Sequence, residues 1–135
     1  MAAARVLFAC VHNAGRSQMA AALFNAIADR TKAGALSAGT KPGPAIHPEV
    51  ATVMGEVGID LSSASPRLLT TELASTVSLL ITMGCGEDCP YVPGVERDDW
   101  PLPDPKGRPL EEVRAIRDDI RRRVASLIEA RGWNR

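Results

Sequence analysis

The feature that most restricts this chain is a junction near its start. The apolar run Val6-Leu7-Phe8 leads into Cys10, and six residues later Arg16-Ser17 opens a stretch of helical periodicity. On periodicity alone the run could be a buried helical piece, but its flanks favour a buried strand over residues 5–9. Ala20, Leu23, Phe24 and Ile27 then recur at helical spacing, with Ser17 placed as N-cap or first-turn residue. Strand, tight loop and helix in that order predict the first unit of a parallel sheet.

The alternation continues along the chain. Residues 35–39 can form a second, small-residue strand, and prolines and a glycine in 40–47 forbid regular structure there. Pro48 suits the first turn of a helix whose buried face is Val50, Val53, Met54 and Val57, with Gly58 as its left-handed stop. A third strand is expected over 77–81, and the Gly-, Pro- and Cys-bearing loop 82–94 is long enough to carry a function. Residues 97–100 read as a short fourth strand. Pro101, Pro103 and Pro105 keep the next stretch extended, and Val113, Ile116, Ile120, Val124, Leu127 and Ile128 mark one face of a long terminal helix. The expected architecture is α/β: a four-stranded parallel sheet with helices on both faces and ligands beyond the carboxyl ends of the strands. The loops starting at Cys10 and Thr82 should therefore share one rim. With 135 residues and no repeat, linker or low-complexity segment, the chain reads as one domain, 1–135.

Charge narrows the partners. Sixteen Lys and Arg balance sixteen Asp and Glu, so nothing global points to nucleic acid or an anionic membrane, and any anion site must be local. Residues are 45% apolar, yet no run approaches the ~20 needed to span a bilayer, and 6–11 is too short for a signal-peptide core. A soluble, cytoplasmic protein is expected. Three cysteines make a poor disulfide scaffold; in a reducing compartment they are buried hydrophobes, metal ligands or reagents. One Cys-x3-Cys pair, with only His12 and His47 besides, lacks the usual spacing for zinc, so no metal is expected.

Cys10-Val11-His12-Asn13-Ala14-Gly15-Arg16-Ser17 has the parts of a tetrahedral-oxyanion site. Backbone N–H groups can converge on one anion in a loop of this length. The helix N-terminus adds partial positive charge, and Arg16 can grip two oxygens. The same field favours a thiolate: an ordinary cysteine ionises near pH ~8.5, whereas at helix N-termini the value can fall to ~3.5–7.5. Ser17 is placed to donate a hydroxyl hydrogen bond to the sulfur, and Asn13 could hold an unusual loop conformation or a positive φ. His12 has no role of its own beyond the loop. Asp104 sits between Pro103 and Pro105, stiff enough to be aimed at the anion, though an ordinary turn residue could stand there too.

The sequence resembles the arsenate reductases built on the low-molecular-weight protein tyrosine phosphatase fold, over nearly the whole chain. The matching segments are the loop from Cys10 through Gln18-Met19-Ala20, then Ser37-Ala38-Gly39, His47-Pro48-Glu49, Gly58-Ile59-Asp60, Thr82-Met83-Gly84-Cys85, Cys89-Pro90, Trp100 and Asp104-Pro105. Related phosphatases typically carry Pro after the Arg-Ser pair, a cysteine at the position of Gly15, and an aromatic residue after the catalytic Asp-Pro. Here Gln18, Gly15 and Lys106 stand there, and Tyr91 is the only tyrosine. The resemblance implies a three-layer α/β sandwich in which Cys10 attacks arsenic, Arg16 and the loop 11–17 bind the arsenate oxygens, and Asp104 protonates the departing oxygen. To act as an acid, Asp104 must keep its proton near neutrality, which burial beside a bound anion favours. Phosphate and sulfate would bind as analogues.

Arsenic, unlike phosphorus, accepts electrons from sulfur, so a second thiol is required. The resemblance implies that Cys85 attacks the arseno-cysteine and passes its disulfide to Cys89, which thioredoxin reduces. The three-residue spacing is shorter than usual in that group, yet on a helical turn it brings the Cα atoms within disulfide range. A related branch uses an external low-molecular-weight thiol, such as mycothiol, with a glutaredoxin-like (mycoredoxin-type) partner; structural thiols are the remaining reading. No bound cofactor is implied. A phosphatase working through phospho-Cys10, and a protein that merely binds oxyanions or arsenite, are the rival functions. His47 reads as a helix cap, Trp100 as packing, and Arg121, Arg122 and Arg123 as a solvated helix face. Lys106 and Arg108 stay unassigned.

Overall fold

The computed structural model describes residues 3–84, 89 and 91–135. Four strands, β1 (Ala4–Cys10), β2 (Ala33–Gly39), β3 (Leu79–Thr82) and β4 (Glu96–Asp99), form one sheet in the order β2-β1-β3-β4, every pairing parallel. The register brings Cys10 beside Gly39, Ala9 beside Thr82 and Thr82 beside Asp99, so the strands finish along one rim. The helices are α1 (Arg16–Ile27), α2 (Pro48–Glu56), α3 (Thr71–Ser75) and α4 (Leu110–Arg131).

β1 is paired on both edges and covered on both faces, which is why its sequence from Val6 to Cys10 is an unbroken apolar run. Val6, Phe8 and Cys10 point to the face covered by α1, α2 and α4; Leu7 and Ala9 point to the other, where Leu69, Ala74 of α3, Val77, Leu80 and Cys89 pack. Residues 6–9 have no exposed surface. Burying a side chain the size of Phe8 or Leu7 contributes about 1.5–3 kcal/mol, so the strand that carries Cys10 is held from both faces by the core. Phe8 meets Phe24 edge-on at 6.1 Å and Trp100 at 5.6 Å, which gives Trp100 the packing role its sequence position implied. β4, in contrast, is the polar segment Glu-Arg-Asp-Asp on the open edge, all four residues exposed, a composition that discourages pairing with another chain.

The expected α/β architecture is what forms, with adjusted ends. The first strand is longer than 5–9 and the second begins at Ala33, where Asn25 seals the outer edge: its Nδ2 donates to Ala35 O at 3.0 Å and its Oδ1 accepts from Ala35 N at 2.8 Å. The third strand starts at Leu79 rather than Val77; only Val77 and Ser78 separate it from Thr76, the C-cap of α3, a helix the sequence did not announce. The fourth runs over Glu96–Asp99, leaving Trp100 just beyond it. Gly15, not Ser17, is the N-cap of α1. His47 does occupy the N-cap position of α2, but its side chain makes no capping hydrogen bond. Arg121 and Arg122 are exposed, and Arg122 and Arg123 pair with Asp119 on their own helix. Among the described residues no helix is long and apolar enough to cross a membrane.

Candidate active site

The loop from Cys10 to Gly15 leaves β1 and enters α1, and its carbonyl oxygens are all tied outward. Those of Cys10, Val11, His12 and Ala14 accept the backbone N–H groups of Thr40, Lys41, Gly43 and His47 at 2.8–3.2 Å, so the segment after β2 runs alongside as a splint. Asn13 O accepts from Gln18 Nε2 at 3.1 Å, and Gly15 O starts the helix by accepting from Met19 N at 2.9 Å. In a trans peptide the N–H of the next residue lies opposite the carbonyl. Tying every carbonyl to the scaffold therefore turns the complementary amides away from it. α1 has no acidic residue in its first turn, so nothing there cancels the positive end of the helix.

Cys10 is free and 2% exposed, and its Sγ lies 2.8 Å from Ser17 Oγ. The groups around Ser17 orient this contact. Arg67 N donates to Asn13 Oδ1 at 2.9 Å, and a backbone N–H can only donate, so the other end of that amide, Nδ2, faces Ser17 Oγ at 2.7 Å and donates to it. Ser17 Oγ thus accepts a hydrogen from Asn13, and its own hydrogen is free to be donated to the sulfur. Asn13 has φ of 50°, the left-handed conformation that asparagine tolerates better than most residues.

Arg16 is 7% exposed, and its Nη1 donates to Leu102 O at 2.9 Å. One arm of the expected oxygen-gripping fork is thus engaged with the proline-rich segment that carries Asp104. The guanidinium also lies against Gly84, where a Cβ would come 2.4 Å from Nη1; the φ of 103° there is one that glycine alone adopts freely. Pro105, the neighbour of Asp104, is buried against Gly15, whose Cβ would meet Pro105 Cγ at 2.7 Å. Asp104 Oδ1 accepts from Lys106 N at 3.0 Å and its carbonyl accepts from Arg108 Nε at 2.6 Å, while Gly107 N donates to Glu49 Oε1 at 3.2 Å. Arg108 and Glu49 therefore hold the turn that brings the Asp104 segment against the loop.

Cys89 is 5% exposed, packed under the sheet with Leu7, Ala9 and Leu80, and is disulfide-bonded. Cys85, the expected resolving thiol, lies outside the described residues. His12 is half-buried and its carbonyl, through Gly43, is its visible contribution to the loop.

The family profile described as low molecular weight phosphotyrosine protein phosphatase matches residues 5–132. The chain belongs to this phosphatase family. Among its relatives is a Halobacterium salinarum protein provisionally named an arsenate reductase, 41% identical over 126 residues that cover 90% of this chain and 89% of that one. The glutaredoxin arsenate reductase of Synechocystis is 33% identical, covering 92% and 95% of the two chains. Among solved structures, the thioredoxin-dependent arsenate reductase of Corynebacterium glutamicum superposes with a TM-score of 0.82 at 38% identity. That match covers 95% of this chain but only 61% of the other, so this chain spans about three-fifths of that protein's length.

Three contributors to this phosphatase-family site were not assigned from sequence. Gln18 entered only as a point of resemblance, and its buried amide proves to bond the loop. Leu102 acts through its carbonyl, which carries no sequence signal. Gly84 likewise entered only within a matching segment, before Cys85, and its contact with Arg16 spans 68 residues of sequence, so only the fold reveals it.

Proposed function

We propose that this chain reduces arsenate to arsenite using electrons from thiols, with Cys10 as nucleophile. The observation that carries the reading is the outward tethering of every carbonyl from Cys10 to Gly15 around a buried sulfur that Ser17 can hydrogen-bond. Such a loop offers its amides, the α1 N-terminus and Arg16 to a tetrahedral oxyanion, and phosphate and sulfate share that shape and charge. The Cys10 thiolate attacks arsenic and a covalent S–As bond forms. Asp104 delivers a proton to the departing oxygen, which leaves as water, and Arg16 and residues 11–17 hold the remaining oxygens.

Reduction is the second step. The Cys85 thiolate attacks Cys10 Sγ, an S–S bond forms, and the electron pair of the broken S–As bond stays with arsenic, which departs as arsenite. Cys89 then attacks Cys85, freeing Cys10, and an external dithiol returns two electrons to the Cys85–Cys89 disulfide. The disulfide at Cys89 and the thioredoxin and glutaredoxin in the relatives' names support this route, with thioredoxin as the reductant. Attack on Cys10 by an external low-molecular-weight thiol is the alternative second step. The family's name supports a second reading, hydrolysis of a phosphate ester through phospho-Cys10, which shares the first step and lacks the second.

One assay distinguishes these. With arsenate, thioredoxin, thioredoxin reductase and NADPH, arsenite should accumulate as NADPH is consumed; Cys10→Ser should stop both, and Cys85→Ser should stop thioredoxin-driven turnover. Hydrolysis of an aryl phosphate without thiol consumption would identify a phosphatase. Bound arsenic without turnover would identify a binding protein. Steady thioredoxin-driven turnover by Cys85→Ser would refute the relay.

A further inference from the structure

The reaction as proposed leaves Gln18 unused, although it is 7% exposed in the first turn of α1. Its Nε2 lies 3.1 Å from each of three oxygens, Asn13 O, Asn13 Oδ1 and Ser65 O. An amide nitrogen has two hydrogens, so three acceptors already share them and none is left for a substrate. We propose that Gln18 is a positioning residue: by pinning the main chain and the side chain of Asn13 together, it fixes the hydrogen bond that Ser17 gives Cys10 and keeps the loop shaped for a tetrahedral anion. The proposal rests on the reading of the loop as an oxyanion site.

The chain of contacts is directional throughout. Asn13 stands in a left-handed conformation, φ of 50°, in which its carbonyl is turned toward α1, and Gln18 supplies the donor that carbonyl needs there. The Ala14 N–H, in the same peptide plane, consequently points away from Gln18. Gln18 and Arg67 N both donate to Asn13 Oδ1, which directs Asn13 Nδ2 to Ser17 Oγ and leaves the Ser17 hydrogen free for the sulfur 2.8 Å away. Without the Gln18 amide, the carbonyls of Asn13 and Ser65 lose a donor, and the Asn13 side chain keeps one of the two donors that orient it.

Two variants test this in the full chain. Gln18→Met keeps the length and removes the donors; Gln18→Lys supplies an ammonium with hydrogens for the same three oxygens. The readouts are the pH midpoint for alkylation of Cys10 by iodoacetamide, followed at that peptide by mass spectrometry, and the dissociation constant of inorganic phosphate. Gln18→Met should move the midpoint up by about one unit, a tenfold change in the ionisation constant of the thiol, and weaken phosphate about tenfold. Gln18→Lys, which restores donors and adds a positive charge, should leave the midpoint at or below the parent's and phosphate binding at least as tight. A folded Gln18→Met with both quantities unchanged, or with a lower melting temperature alone, overturns the proposal. If Gln18→Met does not fold, Gln18→Lys decides: a midpoint at or below the parent's supports the role and a raised midpoint overturns it. A parent that neither binds phosphate nor alkylates readily at neutral pH would instead overturn the oxyanion reading itself.

Discussion

Pro105 packs against the backbone of Gly15 with no room for a methyl group between them: a Cβ there would lie 2.7 Å from Pro105 Cγ, 3.3 Å from Cδ and 3.4 Å from His47 Cδ2. Ordinary carbon–carbon contact is about 3.5–4.0 Å, so Gly15→Ala forces the Asp104-Pro105 segment outward by about 1 Å. A misplacement of that size can cost on the order of 100-fold in rate. On the proposed mechanism, Gly15→Ala should therefore lower kcat for arsenate by about 10- to 100-fold and change the inhibition constant of phosphate by a smaller factor, because the added methyl meets Pro105 and His47 first. Equal changes in both would show that Pro105 serves the cradle and not the acid.

Gly84 should behave differently. Its φ of 103° strains any other residue, and a Cβ 2.4 Å from Arg16 Nη1 must displace the guanidinium. Gly84→Ala is expected to destabilise the fold by about 1–2 kcal/mol, the usual cost of a left-handed L-residue, and to raise the KM for arsenate about tenfold or more. A parallel phosphate titration checks the second part. Unchanged phosphate affinity in a destabilised variant would mean that Arg16 does not hold the anion.

Acid stability carries a readable contribution from Glu56, which joins α2 to α4. The Arg114 guanidinium, bonded to both of its carboxylate oxygens at 2.9, 3.1 and 2.7 Å, holds Glu56 below its ordinary value of 4.5, and Arg117 adds a further bond at 3.0 Å. A carboxyl whose folded-state value is depressed stabilises fully above its unfolded value, and that contribution is lost as pH falls through the folded value. Glu56→Gln should thus melt at a lower temperature than the parent at pH 7, and the gap should close as pH is lowered below about 4.5. Melting curves across pH 3–7 at low salt read this directly. A gap independent of pH would assign the bond's value to packing.

The apolar run of β1, the helical face of α1 and the proline that opens α2 are short-range patterns, and each placed its element to within a few residues. α3 escaped because five residues give hydrophobic periodicity no chance to repeat; its one local mark is Thr70, whose hydroxyl accepts from Leu73 N at 3.0 Å. Within the site, the positive φ of Asn13 and the Cys10–Ser17 contact follow from spacing inside one loop and were legible. The seating of Pro105 on Gly15 and of Arg16 between Gly84 and Leu102 was not, since these contacts join segments whose meeting depends on how the whole sheet is ordered. Of the two positions open to Ser17, N-cap or first turn, the structure takes the second, where its hydroxyl turns to the Cys10 sulfur while Gly15 stands at the cap.

β1 is the inner strand whose last residue is Cys10, and it is hydrogen-bonded on both edges. Strands so enclosed are commonly the last to open, their amides exchanging with solvent only when the molecule unfolds as a whole. The sulfur is therefore rooted in the slowest-exchanging part of the chain, while the polar edge strand and short α3 can fray without moving it. Reactivity at Cys10 should outlast the first losses of structure on heating, and vanish in step with the final cooperative transition.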